Sequence, residues 1–403
     1  MRLKPLSAAA LPRAASRIAP QPDARHNVLP HRVVIAPRLL MLALVALPLL
    51  AGIAGGLLRA GLTLPDMVQA DWPGRAALGH AALMMSCFLG TVIGIERAVA
   101  VKLRAAFAAP VASSAGGIFM LLGQPEVGAW LGVAAALVFL GVNAVVVRRQ
   151  RAAHTWLLLI SAAAWLTGNL LFAFKFGSIE IYPWWFAFLV MTIAAERLEM
   201  TRLMRRRPAA QGLLCTVLAA LILGAALSLS SLSAVASGVV YGAALVLLAL
   251  WLAVFDIARR TVFGHGLSRY MAVCLLGGYA WLAVAGAAWA AAALGGPVRD
   301  VALHALGLGF IVSMVMGHAP VILPAVARVK LLFGAFFYVP LVALHASLVL
   351  RLGFGTLEPP FRAAGAALNA AALALFALTV LGAALAWRIR HGAPGALPSR
   401  KTF

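Results

Sequence analysis

Nine histidines punctuate this sequence, and their surroundings divide them into two kinds. His26 and His31 stand in a polar N-terminal stretch, His154 and His265 close to arginines, and His391 near the C-terminus. The other four, His80, His304, His318 and His345, lie inside long apolar runs. An imidazole taken out of water must find a partner. Its neutral ring nitrogen is also a good ligand for copper and for haem iron. Soft sulfur is close in sequence: His80 with Met84, and Met314 with His318, are four residues apart and share a face on a helix. Thioether beside imidazole is a donor set that copper accepts. Cys87 falls on nearly the same helical face as His80, where it reads either as a further ligand or as a small buried hydrophobe. Each feature has a plain structural alternative, a histidine bonded to a neighbouring helix's backbone and a methionine that fills space.

The elements that must position these residues are helices in lipid. Apolar residues make up 64% of the 403-residue chain and charged residues 11%, far from the balance of a soluble domain. Apolar runs bounded by charge, Gly or Pro predict spans near 37–59, 76–97, 105–123, 127–147, 154–174, 182–201, 211–230, 233–256, 269–294, 301–327, 332–351 and 363–387. The expected fold class is therefore all-α, a polytopic integral membrane helical bundle of about twelve transmembrane helices, occupying residues 34–390 as one domain. Residues 1–33 are rich in Arg and Pro without an apolar core, and are expected to form a disordered cytoplasmic tail. Residues 391–403 form a second, shorter tail on the same side.

The formal charge of +22 could suggest nucleic acid, but its distribution points elsewhere. With this span map about 27 of the 33 Lys and Arg fall on the side of the N-terminus, and Arg59, Arg75, Lys175, Arg299, Arg351 and Arg362 fall opposite. That segregation predicts an inner (plasma) membrane protein with both termini cytoplasmic, a lipid-bilayer partner and no nucleic-acid partner. Cys87, Cys215 and Cys274 are dispersed in apolar runs, so neither a disulfide framework nor a clustered zinc site is expected. No phosphate-binding glycine loop and no nucleophile elbow is present.

Helical rise then fixes depth. At about 1.5 Å per residue, His80 and His304 lie roughly 6 to 8 Å inside the outer ends of their spans, and His345 roughly 9 Å below Arg351. Three imidazoles at one level suggest a joint centre. His318 is about 21 Å further along the helix of His304, at the level of Glu96-Arg97 and Glu196-Arg197. Those pairs read as interfacial ion pairs that anchor helix ends, or as parts of a charge pathway. They also belong to an internal echo, Phe88-Leu89 to Leu103 against Phe188-Leu189 to Leu203, offset by one hundred residues. Pro320 and Pro324 are expected to free backbone carbonyls and kink the tenth span.

The stretch Ala302-Leu303-His304-Ala305-Leu306-Gly307 through Gly317-His318 resembles a late segment of the NnrS family, membrane proteins that bind haem and copper and are linked to the nitric-oxide response. The twelve-span layout is similar, and the family's early histidine motif maps onto Gly79-His80-Ala81. The resemblance implies a b-type haem and copper as cofactors, with His80, His304, His345 and His318 as cofactor-binding residues. Shared depth and helical spacing give His80, His304, His345 and Met84 as the candidate ligands of a metal ion, and the resemblance implies a small molecule or gas as ligand and a role in nitric-oxide or metal stress. Two departures stand out. The family's early motif carries two histidines and an acid, whereas His80 is alone and followed by Ala81-Ala82-Leu83-Met84. After Gly317-His318 the chain has Ala319, Pro320 and Val321 where the family has polar and basic residues. Two other readings stand beside this one: a secondary transporter or metal exporter built around the Pro-broken helix, and an assembly partner of a respiratory complex.

Overall fold

The structure, a computed structural model, describes residues 32–62, 71–174, 179–200, 208–230 and 234–391. Most of the basic tail expected over 1–33, the Arg205–Arg207 loop and the C-terminal tail beyond His391 lie outside the described residues.

The described chain is helical and contains no strand. Helix α1 (Arg32–Arg59) is followed by α2 (Trp72–Leu78), which continues through Gly79-His80-Ala81 into a π-helical segment, Ala82–Leu89, and then α3 (Gly90–Val101). Helices α4 (Ala108–Leu121), α5 (Pro125–Arg149), α6 (Ala153–Phe174) and α7 (Ile181–Met200) complete the first half. The second half holds α8 (Pro208–Leu227), α9 (Ala234–Phe255), the short α10 (Ala258–Thr261) and α11 (Gly266–Ala293). Helix α12 (Arg299–His304) then runs through a second π-helical segment, Ala305–Val312, into α13 (Ser313–Ala327), before α14 (Tyr338–Leu352) and α15 (Pro359–His391).

Local chemistry accounts for the ends. Pro73, Pro125 and Pro359 sit in the first turns of their helices, where the missing N–H is no loss. Helix α5 opens on Glu126 and closes on Arg148 and Arg149, complementing its dipole at both ends. Lys102 and Arg328 take left-handed backbone conformations, φ 60° and 54°, that stop α3 and α13.

Eleven helices among the described residues are long and apolar enough to cross a membrane. Helix α7 is not among them because it ends in Glu196, Arg197 and Glu199, yet it occupies the place of the expected sixth span. Fifteen of its twenty residues are buried, so it is a central post around which others pack. At the periphery, α15 exposes Leu368, Leu378, Leu381, Leu385 and Ile389, the pattern of a helix solvated by lipid. The chain is thus an all-α polytopic membrane bundle.

One buried polar node ties four of the early spans together. The Asn169 carbonyl oxygen accepts from the Ser86 hydroxyl at 2.9 Å and from the Trp185 indole at 2.9 Å. Its amide donates to the Gly132 carbonyl at 2.8 Å, while Trp165 donates to Ser86 Oγ at 3.1 Å. Trp185 is only 1% exposed although it lies near the end of its span. Its N–H is satisfied by another helix, as burial in lipid requires.

Candidate functional site

The second and tenth spans carry the two histidines in matching settings. In each, an eight-residue π-helical segment follows soon after the histidine: Ala82–Leu89 after His80, Ala305–Val312 directly after His304. A π segment changes the angular register of every side chain beyond it, and such segments recur at functional sites. Nothing in the hydrophobic periodicity announces them.

The two histidines meet. Their ring centroids are 6.3 Å apart and the planes 24° from parallel. His80 Nδ1 donates to the Gly52 carbonyl at 2.7 Å, which leaves Nε2 with its lone pair. His304 Nδ1 lies 2.9 Å from the Asp300 carboxylate, one turn earlier on α12. That carboxylate takes the Nδ1 proton, again leaving Nε2 as the acceptor, and Arg351 Nη2 now stands 3.0 Å from it. Arg351 also grips Asp300 with two bonds, at 3.2 and 3.0 Å. Histidines that bind metals usually have Nδ1 held in this way by a carboxylate or carbonyl, which fixes the tautomer and the ring.

Close packing on α1 makes room for this. A side chain on Gly56 would place its first carbon 2.7 Å from His80 Cε1, and one on Gly52 would meet Met84 Sδ at 2.5 Å. The His80–Met84 pair therefore does share a face, seated in a two-glycine notch. Gly56→Ala should displace the His80 ring and break its bond to Gly52, costing about 1–3 kcal/mol of stability. Thermal unfolding in detergent measures this, and an unchanged midpoint would contradict the notch.

His345 has a different environment. Its Nδ1 accepts from the Trp281 indole at 2.7 Å, with the rings 9° from parallel. Its other ring edge faces Gly277, and Trp281 itself lies against Gly309 on the π segment. The structure thus brings together two of the three outer histidines and gives the third its own partner. Among the described residues no group of three or more His, Cys, Asp or Glu side chains is placed to share a metal ion. Cys87 is buried against Gly117, in the manner of a small hydrophobe.

At the other end of the bundle His318 donates from Nδ1 to the Met314 carbonyl at 2.6 Å and accepts at Nε2 from Arg197 Nη2 at 2.9 Å. Both ring nitrogens are engaged. Pro320, lacking an N–H, frees the Met316 carbonyl, which accepts from the Tyr270 hydroxyl at 3.3 Å instead. Arg197 is 7% exposed, so it is not a solvated anchor at the interface. The echoed Glu-Arg pairs come close enough that Glu96 and Arg97 act electrostatically on Glu196. In the turn after α9, Asp256 is fully buried, and that burial pushes its carboxyl above the ordinary range against the pull of Arg197.

Fold and site together define a polytopic helical membrane protein with a histidine pair near one face and a buried charged cluster near the other. A family model described as a domain of unknown function, DUF8744, matches residues 38–385, and the chain belongs to that family. No curated protein and no solved structure matches it.

Proposed function

We propose that this is an NnrS-like inner-membrane protein that binds haem, or copper, through His80 and His304. The observation that carries this reading is the histidine pair itself, with both Nδ1 atoms held by acceptors, His80 Nε2 left with its lone pair and His304 Nε2 met by Arg351. The ring centres are 6.3 Å apart, near enough for one metal or haem iron to be shared once the stacked rings turn a nitrogen toward it. Haem held by His80 and His304 would supply a redox-active iron, and a small gas would reach that iron only in place of one of the two histidines. Copper would draw on the same nitrogens with Met84 sulfur beside His80. In either case Arg351 must release His304 Nε2, keeping Asp300 as its partner. Nitric-oxide or metal stress is the physiology that this chemistry and the NnrS resemblance suggest.

The test is the composition of the protein purified from cells supplied with haem and copper. An absorption spectrum and metal analysis should find close to one haem or copper per chain. A protein that contains neither under these conditions overturns the reading.

Orientation follows from the basic residues at Lys102, Arg104, Arg148, Arg149, Arg259 and Arg260, which alternate spans place on one face. Reporter fusions should find both termini and the Arg205–Arg207 loop in the cytoplasm. A translocated C-terminus would contradict an even number of spans.

A second reading, a transporter with an ion pathway, draws on the buried cluster around Arg197. Substrate-driven flux by a cofactor-free protein in vesicles would favour it.

A further inference from the structure

A group buried in a membrane bundle without a hydrogen-bond partner costs free energy, and a native protein that keeps several in one place has a use for them. Among the described residues, Arg197 Nε, Asp256 Oδ2 and the Tyr279 hydroxyl are buried and no short hydrogen bond reaches them, the Tyr279 hydroxyl and the Asp256 carboxyl interacting at longer range. The three are neighbours. Tyr279 and Arg197 both act on the Asp256 carboxyl, and Arg197 acts on Tyr279 in turn. Asp256 is 0% exposed and Tyr279 3% exposed. They come from separate elements: Arg197 from α7, Asp256 from the turn after α9, Tyr279 from α11, with His318 of α13 bonded to Arg197. Arg197 also links this group to Glu196, and through it to Glu96 and Arg97.

Among the described residues, the fully ionised carboxyls of Glu96, Glu196 and Asp256 are set against the guanidiniums of Arg97 and Arg197, an excess of one negative charge around the fully buried Asp256. His318 does not neutralise it. A proton on its Nε2 would stand against the guanidinium at 2.9 Å, and its Nδ1 proton is already committed to Met314. Glu199 is half exposed and turned toward His154, 3.7 Å away. Arg259 and Arg260 are exposed on the adjoining turn.

We propose that Asp256, Tyr279 and Arg197 form a proton-holding site at the basic-face end of the bundle, where Asp256 takes up one proton from the aqueous phase on that side. A hydronium ion gives its proton to Oδ2, one O–H bond forms, water leaves, and no electron moves. The new O–H donates to the Tyr279 oxygen, while Oδ1 keeps the backbone N–H of Ala258, now 2.7 Å away. Arg197, relieved of Asp256, is left to Glu196 and His318. The site serves any reaction or transport step in the bundle that consumes protons, and it does not depend on the histidine pair holding a metal.

Infrared difference spectra of the full-length protein in detergent, recorded against pH, test this. The C=O stretch of a protonated, buried carboxylic acid should titrate in the wild type, vanish in Asp256→Asn and persist in Glu199→Gln. Asn retains the acceptor for Ala258, so the fold should survive. Tyr279→Phe, which removes only the hydroxyl, should move the midpoint by about one pH unit, roughly tenfold in proton affinity. No titrating band in the wild type, a band that survives in Asp256→Asn, or a band lost in Glu196→Gln instead would overturn the proposal. Should Asp256→Asn not fold, an unmoved midpoint in Tyr279→Phe overturns it equally.

Discussion

Replacing Asn169 by Leu should destabilise the bundle by about 3 kcal/mol, the largest effect expected of any single residue remote from the histidine pair. The branched four-atom skeleton is kept, so the loss is chiefly polar. The substitution strands the Trp185 N–H and the Ser86 hydroxyl proton, neither of which has access to water, and removes the bond that reaches the Gly132 carbonyl from another helix. Each abandoned buried group costs about 1–3 kcal/mol in water-soluble proteins. Membrane values run lower, near 0.6 kcal/mol per bond, because the unfolded chain in lipid finds other partners. Ser86 lies within the π segment that follows His80. The same substitution should therefore also loosen the register that delivers His80 to His304. Denaturant titration in mixed micelles measures the first effect, and a loss below about 1 kcal/mol would mean that the node is not the tie it looks to be.

Asp300→Asn should weaken cofactor binding by about 10 to 100 fold, the range for removing a carboxylate behind a ligating histidine. Asp300 does two jobs at once, accepting the Nδ1 proton of His304 and holding Arg351 by two bonds. Asparagine keeps the size but has one acceptor oxygen and no charge. It leaves Arg351 free to remain on His304 Nε2, in competition with the metal. Asp300→Glu, which restores the charge, should recover part of the affinity. Titration of the stripped protein with haem or Cu(I) gives the constants, and a change smaller than about threefold in Asp300→Asn would remove Asp300 from the site.

Much of the fold was legible because lipid imposes a simple rule on the sequence. Apolar runs of sufficient length became helices, and only α7, with its charged end and almost complete burial, departs from the composition of a span. Depth was legible as well, from rise per residue alone, and it set His80 and His304 at one level. Lateral position was not, because no periodicity states which helix lies beside which. His345 is at a comparable level on its own helix, yet it turns to Trp281. The partners that orient His304 were hidden for a related reason: Asp300 and Arg351 read as loop-end charges until the ends of α12 and α14 came together. The π segments and the Asn169 node carry no signal that a single sequence displays. At the basic end the sequence set His318 level with the Glu-Arg pairs, and the structure gives Arg197 to His318.

Joint binding of one haem or metal by His80 and His304 is checked by loading the wild type, His80→Ala, His304→Ala and His345→Ala in parallel and recording absorption spectra with metal content. A bound spectrum is expected in the wild type, with its loss or a clear change of ligation in both His80→Ala and His304→Ala, and retention in His345→Ala. A wild-type spectrum that survives unchanged in His80→Ala, or His304→Ala, would contradict it.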